Sequence, residues 1–318
     1  MRAPDFWTKP DWRAHVLSPL GWVYGASVAW KALHARPYRP NATVICVGNL
    51  TAGGTGKTPV AIAIANLLRA RGRNPFFLTR GYGGRLTGPI LVGDDNNARD
   101  VGDEPLLLQG TAPVVVARDR RAGALLAEAH GADTIVMDDG HQNFALAKDL
   151  SLVVVDGETG FGNGRVLPAG PLREPVDQGL SRADAVIIVG DGQPNLSVFP
   201  HPVLRARLLQ ASGDLARRRL IAFAGIGRPE KFFQALEMSG AELAATKRYA
   251  DHHAYTPSEI ARLKSKARSC DALLVTTEKD FVRLTPVERD GIVAVPVRAQ
   301  FDQPAEIARL LDSLATTR

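Results

Sequence analysis

The chain has 318 residues, of which 45% are hydrophobic and 23% are charged, so it can bury the cores of two folded domains. Its two cysteines lie far apart in sequence, which argues against a disulfide framework and against a cysteine-ligated metal site. The net charge of +6 is concentrated near the N-terminus beside an apolar stretch, which favours a lipid surface over a nucleic acid as partner.

The first 40 residues form a basic segment that also contains all four tryptophans of the chain. Its uncharged part, residues 16–30, is shorter than the roughly 20 apolar residues that span a bilayer. Acidic residues and tryptophans precede it, which argues against a secretory signal peptide. Two structures fit the pattern: a helix lying in the interface of an anionic membrane, and a helix packed on the protein's own core. One helix can present a face to each. The basic residues are Arg2, Lys9, Arg13, Lys31, Arg36 and Arg39.

A glycine-rich loop follows an apolar, β-branched run at residues 43–47 and precedes residues 59–68, which have helical apolar spacing. A strand, a glycine loop and a helix in this order are typical of a phosphate-binding loop. Lys57 would reach the β- and γ-phosphates of ATP, and the Thr58 hydroxyl would ligate Mg²⁺. Thr51 stands where the general motif has its first glycine. The residues predicted to bind the nucleotide are Thr51, Ala52, Gly53, Gly54, Thr55, Gly56, Lys57 and Thr58.

Short apolar segments then alternate with helical segments. Strands are predicted at residues 75–79, 90–92, 114–117, 134–137, 152–155 and 185–189, with a helix at 120–131. This alternation predicts an α/β fold of the P-loop NTPase type, with a mostly parallel sheet covered by helices on both faces. A stretch rich in Pro, Asn and Ser at residues 191–202 marks a boundary, after which a smaller α/β domain follows. The predicted division is 1–40, 41–200 and 201–318.

The predicted strand at residues 134–137 leads into Asp138 and Asp139. A P-loop needs such an acidic element at a strand end to hold Mg²⁺ or its water shell. Thr58, Asp138 and Asp139 are therefore the predicted metal residues. A turn or helix-cap role for the two aspartates is the alternative, and Asp156 after residues 152–155 is a weaker candidate.

The acceptor of the phosphoryl group must lose a proton, and a carboxylate supported by a histidine suits that step. Asp103 and Glu104 lie in a segment bounded by Gly and Pro, which predicts a loop, and Asp251, His252 and His253 lie in the second domain. The sequence leaves open whether the two groups meet.

Two further segments favour ligand binding. Arg80 and Tyr82 belong to a basic glycine-rich loop, and residues 161–175 form a long loop rich in Gly and Pro. Arg118 and Arg120 are further candidates beside the phosphates, although a solvated charge is equally compatible with each. The predicted substrate contacts are Arg80, Tyr82, Asn163, Arg173 and Glu174.

Taken in order, these motifs closely resemble those of the tetraacyldisaccharide 4′-kinase family, the lipid A 4′-kinases of Gram-negative bacteria. The resemblance rests on residues 47–59, 80–83, 102–105, 138–142, 167–175, 251–252 and 276–280. A threonine at position 51 is normal in that family, whereas His141 stands where an aromatic residue is commoner.

The resemblance implies transfer of the γ-phosphate of ATP, with Mg²⁺, to the 4′-hydroxyl of a tetraacylated glucosamine disaccharide 1-phosphate. It implies a peripheral, monotopic enzyme on the cytoplasmic face of the bacterial inner membrane, with no nucleic-acid partner and no protein partner expected. It also implies that Lys57 binds phosphate, that Asp103 acts on the acceptor hydroxyl with His252 as its support, and that the two α/β domains close on the nucleotide.

Two other functions compete with this one. A membrane-associated P-loop ATPase that switches a protein partner commonly carries a lysine where this chain has Ala52. A scaffold that only binds nucleotide has no use for an acidic base such as Asp103 beside Lys57 and Asp138. Both alternatives are therefore disfavoured.

Overall fold

The computed structural model describes residues 4–9, 11–196, 199–210 and 215–314. Arg2, one of the basic N-terminal residues, and residues 315–318 of the predicted last domain lie outside these ranges. After a short 3-10 turn at Asp5–Trp7, the helices are α1 (Trp12–Leu33), α2 (Lys57–Arg69), α3 (Ala98–Val101), α4 (Asp103–Gln109), α5 (Arg120–Ala129), α6 (Val176–Leu180), α7 (Pro229–Met238), α8 (Pro257–Ser269), α9 (Glu278–Phe281), α10 (Pro286–Arg289) and α11 (Pro304–Ser313). The strands are β1 (Thr43–Gly48), β2 (Pro75–Thr79), β3 (Ile90–Leu91), β4 (Val114–Val116), β5 (Thr134–Asp138), β6 (Leu150–Asp156), β7 (Ala185–Val189), β8 (Val203–Gln210), β9 (Arg219–Ala224), β10 (Glu242–Arg248), β11 (Leu273–Thr277), β12 (Ile292–Val295) and β13 (Val297–Phe301).

The larger sheet has nine strands in the order β13-β8-β7-β6-β1-β5-β2-β4-β3. Its two edge strands, β13 and β3, run antiparallel to their neighbours, and the other pairs are parallel. Alternate residues of β1 face opposite layers: Ile45 packs in the same cluster as α2, and Val44 in the same cluster as α5. Because both faces are covered, the central strands are continuous apolar runs. The predicted α/β fold with a mostly parallel sheet is confirmed.

The smaller sheet has four parallel strands in the order β10-β9-β11-β12. Helices α7 and α8 contribute Phe233 and Ile260 to separate clusters around it. The division predicted at residue 200 does not coincide with the sheets, because β8 pairs with β7 and β13 returns to pair with β8. Helix α11 then buries Ile307 in the layer that contains α2. The chain enters the smaller sheet after β8 and leaves it before β13.

Asp103 and Glu104, expected in a loop, lie in the first turn of α4. Gly102 separates α3 from α4 with a φ of 90°, a conformation that glycine adopts without strain. A side chain at this position would collide with the backbone oxygen of Tyr82. Gly102 therefore starts a new helix and lets the Tyr82 loop approach it, so that a helix holds Asp103 in place.

Helix α1 packs on the protein through small residues and exposes large apolar ones. Gly21 and Gly25 are buried, and a Cβ at Gly21 would lie 2.8 Å from the backbone oxygen of Val166. The exposed large side chains are Trp12, Val16, Leu20, Trp22, Val23, Tyr24, Trp30 and Leu33. Among the described residues, no helix is long and apolar enough to cross a membrane. The structure therefore shows the inner face of α1 against the protein and an outer face that is apolar.

Candidate active site

The glycine-rich loop lies at the carboxyl end of β1, and α2 begins directly after it at Lys57. Gly56 has a φ of 87°, which allows the tight turn into the helix. The Asn49 side chain ties the loop together by donating hydrogen bonds to Thr51 O (2.7 Å) and Thr55 Oγ1 (3.2 Å). The N-terminus of α2 lies next to the loop, and a helix N-terminus contributes the positive potential that a phosphate site requires.

Asp138 lies next to the P-loop because β5 pairs with β1, with Val47 opposite Asp138. Thr58 Oγ1 donates to Asp138 Oδ2 at 3.2 Å. The buried Oδ1 of Asp138 has no hydrogen-bond partner in the described part of the chain. Burial, followed by the charge of Glu104, raises the pKa of Asp138. A hydroxyl beside a carboxylate with an unsatisfied oxygen is a donor set that suits Mg²⁺, whose charge would lower that pKa.

Asp139 links the P-loop to the long Gly/Pro loop. Its Oδ2 lies 3.7 Å from Lys57 Nζ. Arg173 donates to both oxygens of Asp139, at 2.6 Å and 3.1 Å. Burial alone would raise the pKa of Asp139, but Lys57 and Arg173 outweigh it and lower that pKa. Arg173, one of the predicted substrate contacts, is thus engaged with Asp139.

Two other predicted substrate contacts are engaged within the protein. Glu174 is buried and accepts hydrogen bonds from Gln142 (2.9 Å) and Arg182 (2.5 Å). The Asn163 side chain donates to two carbonyl oxygens, one of them that of Phe6 at 2.8 Å. Both side chains hold the long loop in shape, and Asn163 also ties it to the N-terminal segment.

Arg80 and Tyr82 follow β2 and are exposed at the carboxyl edge of the sheet, as is Arg118. The Tyr82 ring lies 6.0 Å from the His252 ring, centroid to centroid. Arg120 is 3% exposed, and its Nε has no hydrogen-bond partner among the described residues. Burial, followed by the charge of Arg80, lowers the pKa of Arg120 to about 10. Positive charge therefore accumulates at this edge of the sheet.

Asp103 and His252 meet, although they come from segments beside different sheets. His252 Nδ1 lies 3.0 Å from Asp103 Oδ2, and His252 has a φ of 58°. Burial alone would raise the pKa of Asp103, but the hydrogen bond with His252 and the charges of Lys279 and Arg283 hold it well below its usual range. The hydrogen bond with Asp103 raises the pKa of His252, although burial opposes it. The second histidine, His253, lies 3.1 Å from Glu259 instead.

Sequence reasoning missed the two cations beside Asp103. Lys279 Nζ lies 2.9 Å from Glu104 Oε1, and Arg283 donates to Asp103 Oδ2. The available signal was the Thr-Thr-Glu-Lys-Asp run at residues 276–280, followed by an arginine three positions after Asp280. Such spacing places the arginine beside the aspartate in a helical turn, but it does not show that Asp103 is near.

Asp156, the weaker candidate for the acidic element, has another use. Its Oδ1 accepts hydrogen bonds from the backbone amides of Glu158 and Thr159, both at 3.0 Å. Its Oδ2 accepts one from Arg228, which also donates to Gly54 O in the P-loop at 3.1 Å. Asp156, at the end of β6, and the P-loop residue Gly54 are therefore both bound to Arg228, which precedes α7 beside the smaller sheet.

Comparison with known proteins identifies closely similar chains. The family model described as Tetraacyldisaccharide-1-P 4′-kinase matches residues 13–316. A tetraacyldisaccharide 4′-kinase from Rhodospirillum rubrum is 49% identical over 328 residues, which covers 100% of this chain and 99% of that protein. One from Methylobacterium radiotolerans is 50% identical, with 97% of each chain covered. A crystal structure of LpxK from Aquifex aeolicus in complex with ATP has a TM-score of 0.75 and 25% identity, and the match covers 95% of this chain and 99% of that one.

Proposed function

This chain belongs to the tetraacyldisaccharide-1-P 4′-kinase family, and from that membership we propose which of its residues carry out the reaction and where they do so. The protein is an ATP-dependent kinase that transfers the γ-phosphate of ATP to the 4′-hydroxyl of a tetraacylated glucosamine disaccharide 1-phosphate, a lipid A precursor. The observation that carries the residue roles is the 3.0 Å contact between His252 Nδ1 and Asp103 Oδ2.

The P-loop binds the phosphates of ATP. Residues 51–58 supply backbone amides, and Lys57 Nζ neutralises the β- and γ-phosphates. Thr58 and Asp138 would hold Mg²⁺, since the Thr58 hydroxyl and the Asp138 oxygen that has no partner in the described parts of the chain form an oxygen donor set, and Asp139 lies beside them. The cation would supply charge neutralisation on the transferring phosphoryl group. Arg80 and Arg120 add positive charge at the same edge of the sheet.

His252 is the better acceptor of the proton, which reverses the roles that the resemblance implies. Asp103 Oδ2 already accepts hydrogen bonds from Arg283 and lies opposite His252 Nδ1, while Oδ1 accepts one from the Glu104 amide at 3.0 Å. A carboxylate in that environment is a weak base. His252 Nε2 lies 3.9 Å from Asp251 Oδ1, beyond hydrogen-bond distance, and forms no hydrogen bond with another described residue, so we assign it to the acceptor hydroxyl.

With His252 as the base, every proton and electron pair of the transfer is accounted for. The O–H bond of the 4′-hydroxyl breaks and its proton passes to His252 Nε2, while the oxygen forms a bond to the γ-phosphorus. The bond between that phosphorus and the β–γ bridging oxygen breaks, and ADP leaves with the electron pair. Asp103 keeps the proton of His252 on Nδ1 and stabilises the imidazolium that forms.

Helix α1 brings the enzyme to its substrate. A lipid with four acyl chains cannot leave the bilayer, because each buried CH₂ contributes roughly 0.8 kcal/mol. The outer face of α1 exposes Trp22 (73%) and Leu33 (82%), which suits the membrane interface. Arg165, which contacts Ser18 and His15 of α1, adds positive charge for an anionic surface. The family membership and the use of ATP support the cytoplasmic face of the inner membrane.

The test is transfer of γ-labelled phosphate from MgATP to tetraacyldisaccharide 1-phosphate in mixed micelles, with Asp103→Asn and His252→Gln in parallel. We expect labelled lipid with the wild-type protein and strongly reduced label with both variants. Consumption of ATP without labelled lipid would support an ATPase switch instead. Full activity of the His252→Gln variant would refute the role of His252 as base.

A further inference from the structure

Arg283 joins the Asp103–His252 pair from the smaller-sheet side. Its side chain is 5% exposed and lies between two buried carboxylates. Its Nε donates to Asp103 Oδ2 at 3.0 Å, and its Nη2 donates to the same oxygen. Its Nη1 donates to Asp280 Oδ1 at 2.7 Å. The Arg283 guanidinium therefore binds the Asp103 carboxylate, which lies beside His252, and is itself bound by the Asp280 carboxylate.

Gly225, directly after β9, fixes Arg283 relative to His252. Its carbonyl oxygen accepts hydrogen bonds from the His252 backbone amide (3.1 Å) and from Arg283 Nη1 (2.8 Å). Its own amide donates to Asp280 Oδ1 at 3.0 Å. A Cβ at this position would lie only 3.0 Å from that carboxylate oxygen, so a glycine permits the close approach. His252, through its backbone amide, and Arg283, through its side chain, thus both bind the carbonyl oxygen of Gly225.

The charges around His252 decide how tightly its ring holds a proton. The groups that face it are the carboxylates of Asp103 and Asp251, the cations of Lys279 and Arg283, and the ring of Tyr82. A lone aspartate beside an imidazole favours the protonated ring, which cannot accept another proton. A guanidinium on the same carboxylate oxygen draws part of that negative charge away from the imidazole.

We propose that Arg283 is a positioning residue for this kinase reaction: it pins Asp103 Oδ2 opposite His252 Nδ1 and shares the carboxylate's charge, which leaves His252 free to accept the proton. The inference rests on the proposed role of the Asp103–His252 pair. Arg283 acts through Asp103 and does not touch the substrate. Arg283 is bound to Gly225 and Asp280 beside the smaller sheet. The arrangement of His252 as base therefore also depends on how the smaller sheet is positioned against α4.

The deciding measurement is kcat as a function of pH for Arg283→Gln and Arg283→Lys, in mixed micelles at saturating MgATP. Glutamine can still bond to Asp103 but carries no charge, so the acid limb should move to higher pH by about one unit. At neutral pH its kcat should then fall about tenfold and recover at alkaline pH. Lysine keeps the charge with one donor group, so its acid limb should stay near that of the wild type while kcat falls.

Arg289→Gln is the matched control, because the hydrogen bonds that Arg289 donates within the described residues go only to the carbonyl oxygens of Phe281 and Val282. Its pH profile should equal that of the wild type. A loss of kcat in Arg283→Gln that is equal at every pH would overturn the proposal, since a purely structural clamp gives that result. An unchanged profile would overturn it as well.

Removing Arg283 takes the guanidinium away from the buried carboxylates of Asp103 and Asp280, which is destabilising. Thermal unfolding and MgATP affinity are therefore measured first. If Arg283→Gln does not fold, Arg283→Lys carries the test: we expect a lower kcat with an unchanged KM for ATP, and a wild-type kcat overturns the proposal.

The same experiment separates this inference from the function on which it rests. If Asp103→Asn and His252→Gln keep the wild-type kcat, the proposed catalytic role of the Asp103–His252 pair is wrong. The role of Arg283 is then overturned with it. If these two variants lose activity while Arg283→Gln keeps the wild-type pH profile, only the inference about Arg283 is wrong.

Discussion

His252 Nδ1 lies 3.0 Å from Asp103 Oδ2, so a residue beside the smaller sheet and the first residue of α4 form one close acid–imidazole pair. Neither residue can make this contact within its own part of the fold. The pair therefore exists only while the two sheets keep their present relative position. The pH dependence of kcat should change if that position changes.

We expect kcat to rise with pH through the pKa of His252, because only the neutral imidazole accepts a proton. The hydrogen bond with Asp103 raises that pKa above its usual 6.5. Asp103→Asn removes the anion, so the acid limb should move to lower pH, opposite to the shift expected for Arg283→Gln. Its maximal kcat should fall by about 10²–10⁴-fold, as for other acid–base groups. The measurement is the pH profile of kcat at saturating MgATP.

The control for this series is His253→Gln, because His253 pairs with Glu259 and not with Asp103. We expect it to keep the wild-type pH profile. A tenfold or smaller loss in Asp103→Asn, with an unmoved acid limb, would show that Asp103 does not act through His252.

Lys57→Ala should abolish phosphoryl transfer without unfolding the protein. Lys57 Nζ is the P-loop cation, and Asp139 keeps Arg173 as partner after the substitution. Activity and thermal unfolding are measured together, with the exposed Lys266→Ala on α8 as control. Near-normal turnover in Lys57→Ala would contradict the assignment of the phosphate-binding loop.

Asp138→Asn should weaken the binding of Mg²⁺ to the protein. The substitution removes a buried carboxylate that accepts a hydrogen bond from Thr58 and has one oxygen without a partner among the described residues. We expect the Mg²⁺ concentration for half-maximal activity to rise about 10–100-fold. Calorimetric titration with ATP, with and without Mg²⁺, provides a readout independent of turnover. An unchanged Mg²⁺ requirement would assign the metal to other residues.

Substitutions on the outer face of α1 should release the protein from membranes without destabilising it. Val16 and Val23 are 66% and 70% exposed, so Val16→Glu with Val23→Glu removes apolar contact and adds negative charge. Sedimentation with anionic vesicles should show the loss of binding. Val287→Glu on α10 is the matched control, because Val287 is equally apolar and 83% exposed but lies far from α1 in the sequence. Undiminished sedimentation of the double variant would place the membrane contact elsewhere.

A substitution on the inner face of α1 should destabilise the protein, whereas the outer-face substitutions should leave its stability unchanged. Gly21→Val places a side chain within 2.8 Å of the backbone oxygen of Val166, so the helix must move away from the long loop. We expect a loss of stability of about 1–3 kcal/mol, measured by thermal or denaturant unfolding. Because α1 covers this loop, point substitutions separate docking from membrane binding better than deletion of residues 1–36. An unchanged unfolding midpoint would mean that α1 does not pack there.

Local patterns in the sequence were sufficient for most individual elements. The strands at residues 75–79 and 185–189 have the predicted bounds, and the P-loop lies between its predicted strand and helix. Buried parallel strands are apolar runs, and a glycine loop before a helix has few other uses, so neighbouring residues carry these signals. The helix predicted within the first 40 residues is present as α1, and its position at a membrane interface stays a prediction.

The sequence determined the family, the α/β class, the nucleotide loop and the acidic strand end, because each depends on residues that are close together in the chain. Only the tertiary structure decided that β8 and β13 belong to the larger sheet, because pairing between distant strands leaves no local pattern. It also decided that Arg283 and His252 meet on one oxygen of Asp103. That meeting is the basis of the proposed exchange of roles between the acid and the histidine, because a carboxylate's basicity depends on charges that only folding brings beside it.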